Sequence, residues 1–161
     1  LAARYRAAPA LHGIEVLNEP RWDVPTPVLE DYYQRAYDAI RSHCEAARVA
    51  VVFHDGFRKH GEFAKFFRRP GLENVLFDVH RYQCFERADL DMDIHGHLHK
   101  AGVLWTAEAD EIQRDLGVPA MALLLPVAAG VPVIPVVVLV VPASIARLVY
   151  SSRAPPPFFS V

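Results

Sequence analysis

The chain lacks acidic residues over its last quarter. It contains 19 Asp and Glu in 161 residues, yet none of them follows Asp115, and the charged residues after that point are Arg147 and Arg153. A globular fold distributes charged side chains over its wet faces. We therefore expect residues 118–161 to form an apolar tail rich in Pro and Val, distinct from a folded domain at residues 1–117.

Residues 116–146 carry no charge at all, and this run is long enough to cross a bilayer. Prolines interrupt it at five positions, and internal prolines kink or break helices. These are Pro119, Pro126, Pro132, Pro135 and Pro142. The sequence therefore favours an unnatural or disordered tail over a membrane span, which is kept as an alternative.

Cysteine is scarce and the charge is nearly balanced. Cys44 falls on an apolar helical face and Cys84 follows a strand, which predicts two free thiols and no disulfide. A net charge of −2 and a pI near 6.5 give no basis for a nucleic-acid surface. The first ten residues contain no long apolar stretch of the signal-peptide type, so the compartment is left open.

Apolar strands alternate with helical patterns along the chain. Strands are predicted at residues 13–17, 49–53, 74–79 and 118–125. Thr26 is predicted to be the N-cap of a helix of about 20 residues, with Pro27 at its first position. A short helix is predicted within 57–67. A longer helical region is predicted at 90–116, with Gly102 as a candidate break and Gly117 as its C-cap. This alternation predicts an α/β fold with a parallel sheet. Four strands cannot close a (β/α)8 barrel, which takes about 250 residues, so the chain is either a small open sheet or part of a barrel.

Polar side chains stand at the ends of three successive strands. The pairs are Asn18 with Glu19, His54 with Asp55, and His80 with Tyr82. Glu19 is suited to protonate a leaving oxygen if a dry pocket raises its pKa, and Asn18 beside it could bind a hydroxyl group of the substrate. His80 and Tyr82 are two residues apart, so they face the same way and could orient a substrate.

The aromatic residues divide between candidate binding and packing roles. Trp22, in the loop after Glu19, is equally suited to stacking on a bound ligand and to packing within its loop. Phe57 directly follows a strand-end motif. Trp105 and the stripe Phe63, Phe66 and Phe67 are predicted to be core.

The segment His95-Gly96-His97-Leu98-His99 contains two candidate zinc ligands, because His95 and His99 share one face of a helix. No third ligand is placed beside them to complete such a site. We therefore predict solvated or surface-packed histidines and no bound metal.

Three blocks of sequence resemble one enzyme family. They are Gly13-Ile14-Glu15-Val16-Leu17-Asn18-Glu19-Pro20, then Phe53-His54-Asp55-Gly56-Phe57, then His80-Arg81-Tyr82-Gln83-Cys84-Phe85. In this order, on successive strand ends, they resemble glycoside hydrolase family 5, within it the exo-β-1,3-glucanase-like branch. The resemblance covers roughly residues 1–120. It implies a partial TIM barrel comprising about strands four to six or seven of the family's eight.

The resemblance also implies roles for these residues and a β-glucan substrate, with no cofactor. Glu19 would be the general acid/base, and His80 and Tyr82 would lie near the reacting centre. Asn18 would bind the 2-hydroxyl of the sugar. Phe85 and Phe57 would stack on glucose rings, while His54 and Asp55 would form a strand-end pair beside the site.

The resemblance implies a retaining mechanism, which needs a second carboxylate as nucleophile. That glutamate should end the strand after Gly117, where this chain has Val118-Pro119-Ala120-Met121-Ala122-Leu123-Leu124-Leu125. We therefore expect an internal fragment of a hydrolase whose tail is foreign sequence, from a frameshift or a faulty gene boundary, and which is inactive alone. A non-catalytic carbohydrate binder and a membrane-tethered protein are the alternatives.

Overall fold

The structure is a computed structural model that describes residues 1–125 and 138–140. The rest of the predicted tail, residues 126–137 and 141–161, lies outside the described residues. The elements are α1 (Ala2–Tyr5), β1 (Gly13–Glu15), α2 (Thr26–Arg41), β2 (Ala50–His54), a 3₁₀ turn (His60–Phe63), α3 (Ala64–Phe67), β3 (Val75–Tyr82), α4 (Arg87–Leu90), α5 (Ile94–His99), a π-helical turn (Lys100–Leu104), α6 (Trp105–Leu116), β4 (Ala120–Leu125) and β5 (Val138–Val140).

The strands form one sheet in the order β1-β2-β3-β4-β5. The first four are parallel, with Ile14 opposite Val51 and Phe77 opposite Ala120. Spatial order follows chain order, and helical segments connect the parallel strands, as in consecutive βα units. The predicted α/β architecture with a parallel sheet is therefore confirmed. β5 lies in the Val-rich part of the predicted tail and pairs antiparallel with β4.

The hydrophobic core lies on one face of the sheet, between the strands and helices α2, α3 and α6. Alternate residues of each strand point to this side. Phe53 packs against Tyr33 of α2 and Phe66 of α3, with ring centroids 5.0 and 5.4 Å apart. The predicted core aromatics are all buried in it: Phe63, Phe66, Phe67 and Trp105.

The opposite face carries polar residues at the positions between the core residues. They are Glu15 on β1, His54 on β2, and Asp78, His80 and Tyr82 on β3. Because side chains alternate along a strand, these residues share the face that the helices leave uncovered.

The second helix begins differently from the prediction. Pro25 precedes the first turn, and Thr26 is itself helical, so Thr26 is not the N-cap. Its hydroxyl instead donates a hydrogen bond to Oε2 of Glu62, 2.8 Å away. The helix spans 16 residues rather than about 20, because the chain turns after Arg41 to reach β2.

Two strand predictions also need correction. β1 is shorter than predicted and is not buried: Gly13 and Glu15 are exposed, because within the described residues β1 is paired on one side only. β3 extends to Tyr82, so His80 and Tyr82 lie inside the strand and not after it.

The long helical region is interrupted, as the predicted break at Gly102 suggested. α5 passes into the π-helical turn that contains Gly102, and α6 follows. Gly117 ends α6 in the left-handed conformation with φ 73°, which confirms the predicted C-cap.

Cys44 is buried and Cys84 is half-buried, and both are free thiols, as predicted. In the part of the chain that the structure describes, no helix combines the length and the apolar character needed to traverse a bilayer.

Candidate active site

Glu19 lies in the loop after β1, with a left-handed backbone (φ 43°) that is uncommon for a residue other than glycine. Its Oε1 accepts two hydrogen bonds, one from Nδ1 of His80 at 2.7 Å and one from the hydroxyl of Tyr82 at 2.5 Å. The structure therefore brings together three residues that the sequence placed at two different strand ends.

The hydrogen bond from Tyr82, and then that from His80, lower the pKa of Glu19. The sequence-based expectation was a dry pocket that raises this pKa. The structure differs because the Glu19 side chain is 33% exposed and receives two donors that favour its charged form. In turn, burial and the bond to Glu19 raise the pKa of Tyr82 to about 12, so its hydroxyl stays a donor.

His80 is buried between two carboxylates. Nδ1 faces Glu19, and Nε2 lies 3.2 Å from Oδ2 of Asp78. Burial raises the pKa of Asp78 to about 6. Glu15 lies close by on β1, with carboxylate oxygens of Glu15 and Asp78 and a ring nitrogen of His80 within 4.8 Å of one another.

Sequence reasoning missed Asp78 and Glu15. A signal for Asp78 was available, because Asp78, His80 and Tyr82 are polar residues at alternate positions of an apolar strand, a period of two that predicts one shared face. Glu15, a lone charge in an apolar run, offered a weaker signal of the same kind.

His54 is fully buried beside His80, with ring centroids 4.3 Å apart and the rings nearly perpendicular. Its Nδ1 accepts a hydrogen bond from the Gly56 amide at 2.7 Å, and its Nε2 has no partner among the described residues. Burial lowers the pKa of His54 to about 4, so the ring is neutral near pH 7, with its proton on Nε2.

Asp55 belongs to a different network. Its Oδ1 accepts the Phe57 amide at 2.8 Å, and its Oδ2 accepts Nη1 of Arg81 at 3.1 Å. Arg81 also binds Glu108 of α6, with Nη2 2.5 Å from Oε1. The structure thus turns Asp55 toward the helical side of the sheet and does not bring it to Glu19.

Gly56 and Arg58 hold the Glu19 loop against the end of β2. Gly56 has φ 57°, and a Cβ there would stand 3.0 Å from Cγ of Pro20, so the two loops can approach closely only with glycine. Arg58 donates hydrogen bonds to the carbonyl oxygens of Arg21, at 3.0 Å, and of Val24. Sequence reasoning missed Arg58, because its partners are main-chain groups that carry no sequence signature.

Exposed aromatic side chains border this cluster. Phe57 packs edge-on against His54, with centroids 5.6 Å apart, and Phe85 packs in the same way against Tyr82 at 5.5 Å. Phe85 is 79% exposed and Phe57 is 48% exposed. Trp22 and Asn18 are exposed in the loop that contains Glu19. The site therefore combines an anchored carboxylate with apolar faces of the kind that pack on sugar rings.

Two sets of side chains that share His80 are spaced closely enough to hold a metal ion. One is Glu19, His54 and His80, and the other is Glu15, Asp78 and His80. His95 and His99, considered as zinc ligands from the sequence, are exposed, and in the described residues they belong to no such group.

Comparison with known proteins gives several relatives, and those described below are named glucan 1,3-beta-glucosidases. The chain is 33% identical over 98 residues to glucan 1,3-beta-glucosidase 2 of Wickerhamomyces anomalus, which is 60% of this chain and 22% of that protein. It is 34% identical over 103 residues to glucan 1,3-beta-glucosidase of Candida oleophila, covering 62% of this chain and 24% of the relative.

A third relative is glucan 1,3-beta-glucosidase I/II of Saccharomyces cerevisiae, with 31% identity over 96 residues and 20% of that protein covered. The chain thus spans less than a quarter of the length of these relatives. No protein-family model matches it.

Proposed function

We propose that this chain is part of a β-glucan hydrolase of the glycoside hydrolase family 5 type, in the exo-β-1,3-glucanase-like branch, with Glu19 as general acid/base. One observation carries the proposal: Oε1 of Glu19 accepts hydrogen bonds from both His80 and Tyr82. The group stands at the carboxyl edge of a parallel sheet, where α/β barrels hold their chemistry. Similarity to proteins named glucan 1,3-beta-glucosidase supports the same substrate class.

Around Glu19 we assign substrate-binding roles to neighbouring groups. Asn18, which is exposed in the loop that contains Glu19, is assigned to bind a sugar hydroxyl. His54 is fully buried, so its Nε2–H does not reach a bound sugar, and we assign His54 a positioning role beside the ring of His80. The rings of Phe57, Phe85 and Trp22 provide stacking faces. Asp55 does not contact the substrate in this proposal; it accepts a hydrogen bond from the Phe57 amide and so positions the turn that carries Phe57.

The proposed hydrolase site lacks one of the two carboxylates that its mechanism needs. Retaining hydrolysis needs two carboxyl groups about 5 Å apart, one of them the nucleophile. β4, the strand after Gly117, contains no Asp or Glu, and none follows it in the sequence. We therefore propose that the chain corresponds to about strands four to six or seven of a TIM barrel, with a domain at 1–117 and a foreign tail at 118–161, and that it does not hydrolyse glucan by itself.

The first experiment measures hydrolysis. The purified chain and its Glu19→Gln variant are incubated with laminarin, and reducing ends are counted. We expect equal, background rates. Turnover by the wild type above the variant would contradict the proposed inactivity.

The second experiment measures binding of a β-1,3-gluco-oligosaccharide by titration calorimetry. We expect weak binding that Phe85→Ala reduces several-fold, because a stacked ring contributes about 1 kcal/mol. Leu98→Ala serves as the matched control, since Leu98 is also exposed but lies on α5. Equal affinity for an α-glucan, or no effect of Phe85→Ala, would reject the assigned surface.

A non-catalytic carbohydrate binder is the second candidate, favoured by the exposed aromatic rings and by the absence of a carboxylate from β4. The two candidates differ in their response to a cationic iminosugar, which resembles the charge of a glycosidase transition state. In a hydrolase site Glu19→Gln should weaken iminosugar binding while leaving oligosaccharide binding intact. A binder without hydrolase ancestry should show no such difference.

A further inference from the structure

A second polar cluster lies beneath Glu19 on the same face of the sheet. It consists of Glu15, Asp78 and His80, and none of its members except His80 enters the proposed hydrolase chemistry. A carboxylate oxygen of Glu15, one of Asp78 and a ring nitrogen of His80 lie within 4.8 Å of one another. Asp78 is 3% exposed and its Oδ1 has no hydrogen-bond partner in the described structure.

The bond between His80 and Glu19 determines the tautomer of the imidazole. An ionised carboxylate can only accept, so Nδ1 of His80 carries the proton of the 2.7 Å bond to Glu19. In the neutral ring Nε2 is then a lone pair, and it faces Oδ2 of Asp78, a second acceptor, at 3.2 Å. Two acceptors at this distance need a proton or a cation between them.

The charge around the cluster favours a cation. Glu15, Glu19 and Asp78 are three carboxylates on one face, and no lysine or arginine within residues 1–125 forms an ion pair with them. The nearest cationic side chain on β3, Arg81, is bound to Asp55 and Glu108 on the helical side. Unless His80 itself carries a second proton, the buried Asp78 carboxylate has no compensating charge among the described residues, which is costly, and a metal ion would remove that cost.

We propose that Nε2 of His80, the carboxylate of Asp78 and the carboxylate of Glu15 form a binding site for a divalent transition-metal ion of the Zn²⁺ type. Two ligands of a tetrahedral zinc ion, each about 2.0 Å from the metal, stand about 3.3 Å apart, close to the 3.2 Å between Nε2 and Oδ2. Glu15 is exposed in the part of the chain that the structure describes, so water reaches the site beside β1.

Glu19 would support this site from outside the ligand set. A histidine that binds a metal through one nitrogen usually donates the proton of the other nitrogen to a carboxylate, which orients the ring. Nδ1 of His80 already makes that bond to Glu19. His54 is not a ligand here, because its Nδ1 accepts the Gly56 amide and its Nε2 therefore carries a proton.

The test is titration of the full chain, freed of metal with a chelator, with Zn²⁺ in a calorimeter and with Co²⁺ in a spectrophotometer. We expect one site that gives the visible absorption of tetrahedral Co²⁺. Asp78→Asn and Glu15→Gln should each lower the affinity at least about tenfold. Because Glu15 is exposed, Glu15→Gln is expected to fold even if Asp78→Asn does not, and circular dichroism checks both.

Two matched controls exclude surface binding. Asp115→Asn removes a ligand from the exposed group of His60, Glu111 and Asp115, and His99→Gln breaks the exposed histidine pair on α5. Both should leave the site intact, and paramagnetic Co²⁺ should broaden the ring signals of His80 more than those of His60. Affinity unchanged in Asp78→Asn and Glu15→Gln, loss of binding in either control, or equal binding of Mg²⁺ would overturn the proposal.

Discussion

Tyr82 and His80 determine the charge of Glu19. Both donate to the same oxygen, so both favour the ionised carboxylate. A general acid needs the opposite bias, and a second carboxylate nearby is the usual means of supplying it. The hydrogen bonds seen here therefore hold Glu19 as an ionised carboxylate, and they do not by themselves make it a proton donor.

Replacing Tyr82 with Phe tests this account. The change removes one of the two donors, so the pKa of Glu19 should rise toward its ordinary value. Carbon-13 NMR titration of the Glu19 carboxyl group measures it directly. Tyr32→Phe is the control, because the Tyr32 hydroxyl faces the carbonyl oxygen of Val16 at 3.5 Å. An unchanged titration of Glu19 in Tyr82→Phe would show that the Tyr82 bond does not hold in solution.

Titration of Asp78 and titration of His54 change the free energy of unfolding in opposite directions as the pH rises. The folded-state pKa of Asp78, about 6, lies above its ordinary value of 3.8, so the folded state binds more protons than the unfolded state between these pH values. Its contribution to stability is therefore lost as the pH rises from 4 to 6. The pKa of His54 is lowered from 6.5 to about 4, so the folded state binds fewer protons than the unfolded state between these pH values. The contribution of His54 to the free energy of unfolding therefore increases as the pH rises through this range.

The variant Asp78→Asn separates the two effects. Asn does not titrate, whereas the His54 contribution is common to both proteins. The free energy of unfolding of the variant, minus that of the wild type, should therefore increase by about 2 kcal/mol between pH 4 and pH 7. Urea denaturation without added metal measures this difference. A difference independent of pH would contradict the raised pKa of Asp78.

At the scale of elements, the ion pairs of Arg81 join β2, β3 and α6. Asp55 is 1% exposed and follows β2, Arg81 is on β3, and Glu108 is on α6. The same Asp55 carboxylate accepts the Phe57 amide, so this network also shapes the turn at the mouth of the candidate site.

Replacing Arg81 should therefore lower the free energy of unfolding. Arg81→Leu leaves the buried Asp55 without its partner, and we expect a loss of about 3 kcal/mol in the free energy of unfolding. Arg35→Leu breaks an exposed pair with Asp31 and should cost less than about 1 kcal/mol. Denaturant titration compares the two variants. Equal losses would mean that Arg81 is solvated in solution and does not join the three elements.

At the scale of the whole molecule, the sheet is covered unevenly. The helices bury one face, and the other carries the polar cluster. β2 and β3 have partners on both sides, while β1 within the described residues has one. The stability of the sheet should therefore be greatest at β2 and β3 and lower at its edge strands, β1 among them.

Amide hydrogen exchange followed by NMR measures this gradient. The amides of Val51 and Phe77, which donate to Asn74 and Pro119 in neighbouring segments, should be among the slowest to exchange. Those of β1 should exchange at least about a hundredfold faster, because an edge strand opens without disturbing the core. Uniformly fast exchange would show that the chain does not form this sheet cooperatively by itself.

Local patterns were sufficient to predict much of this molecule. Strand and helix periodicities predicted a parallel sheet, Gly117 as a helix end, and the burial of Phe63, Phe66 and Phe67. The end of a strand is also a local signal, so Glu19 and His54 were singled out correctly as polar residues at one edge. α2 begins one residue before its predicted first position: Thr26 is itself helical, and its hydroxyl bonds Glu62, 36 positions away in the sequence.

The sequence by itself determined which residue types stand at the sheet edge and that no carboxylate follows Asp115, since both are properties of order along the chain. Only the tertiary structure decided that His80 lies between Glu19 and Asp78 while Asp55 turns away to Arg81. The physical reason is that such pairings depend on strand register and on which face of the sheet each side chain takes. Those are set by packing among segments distant in sequence, and the pKa of each group follows from them.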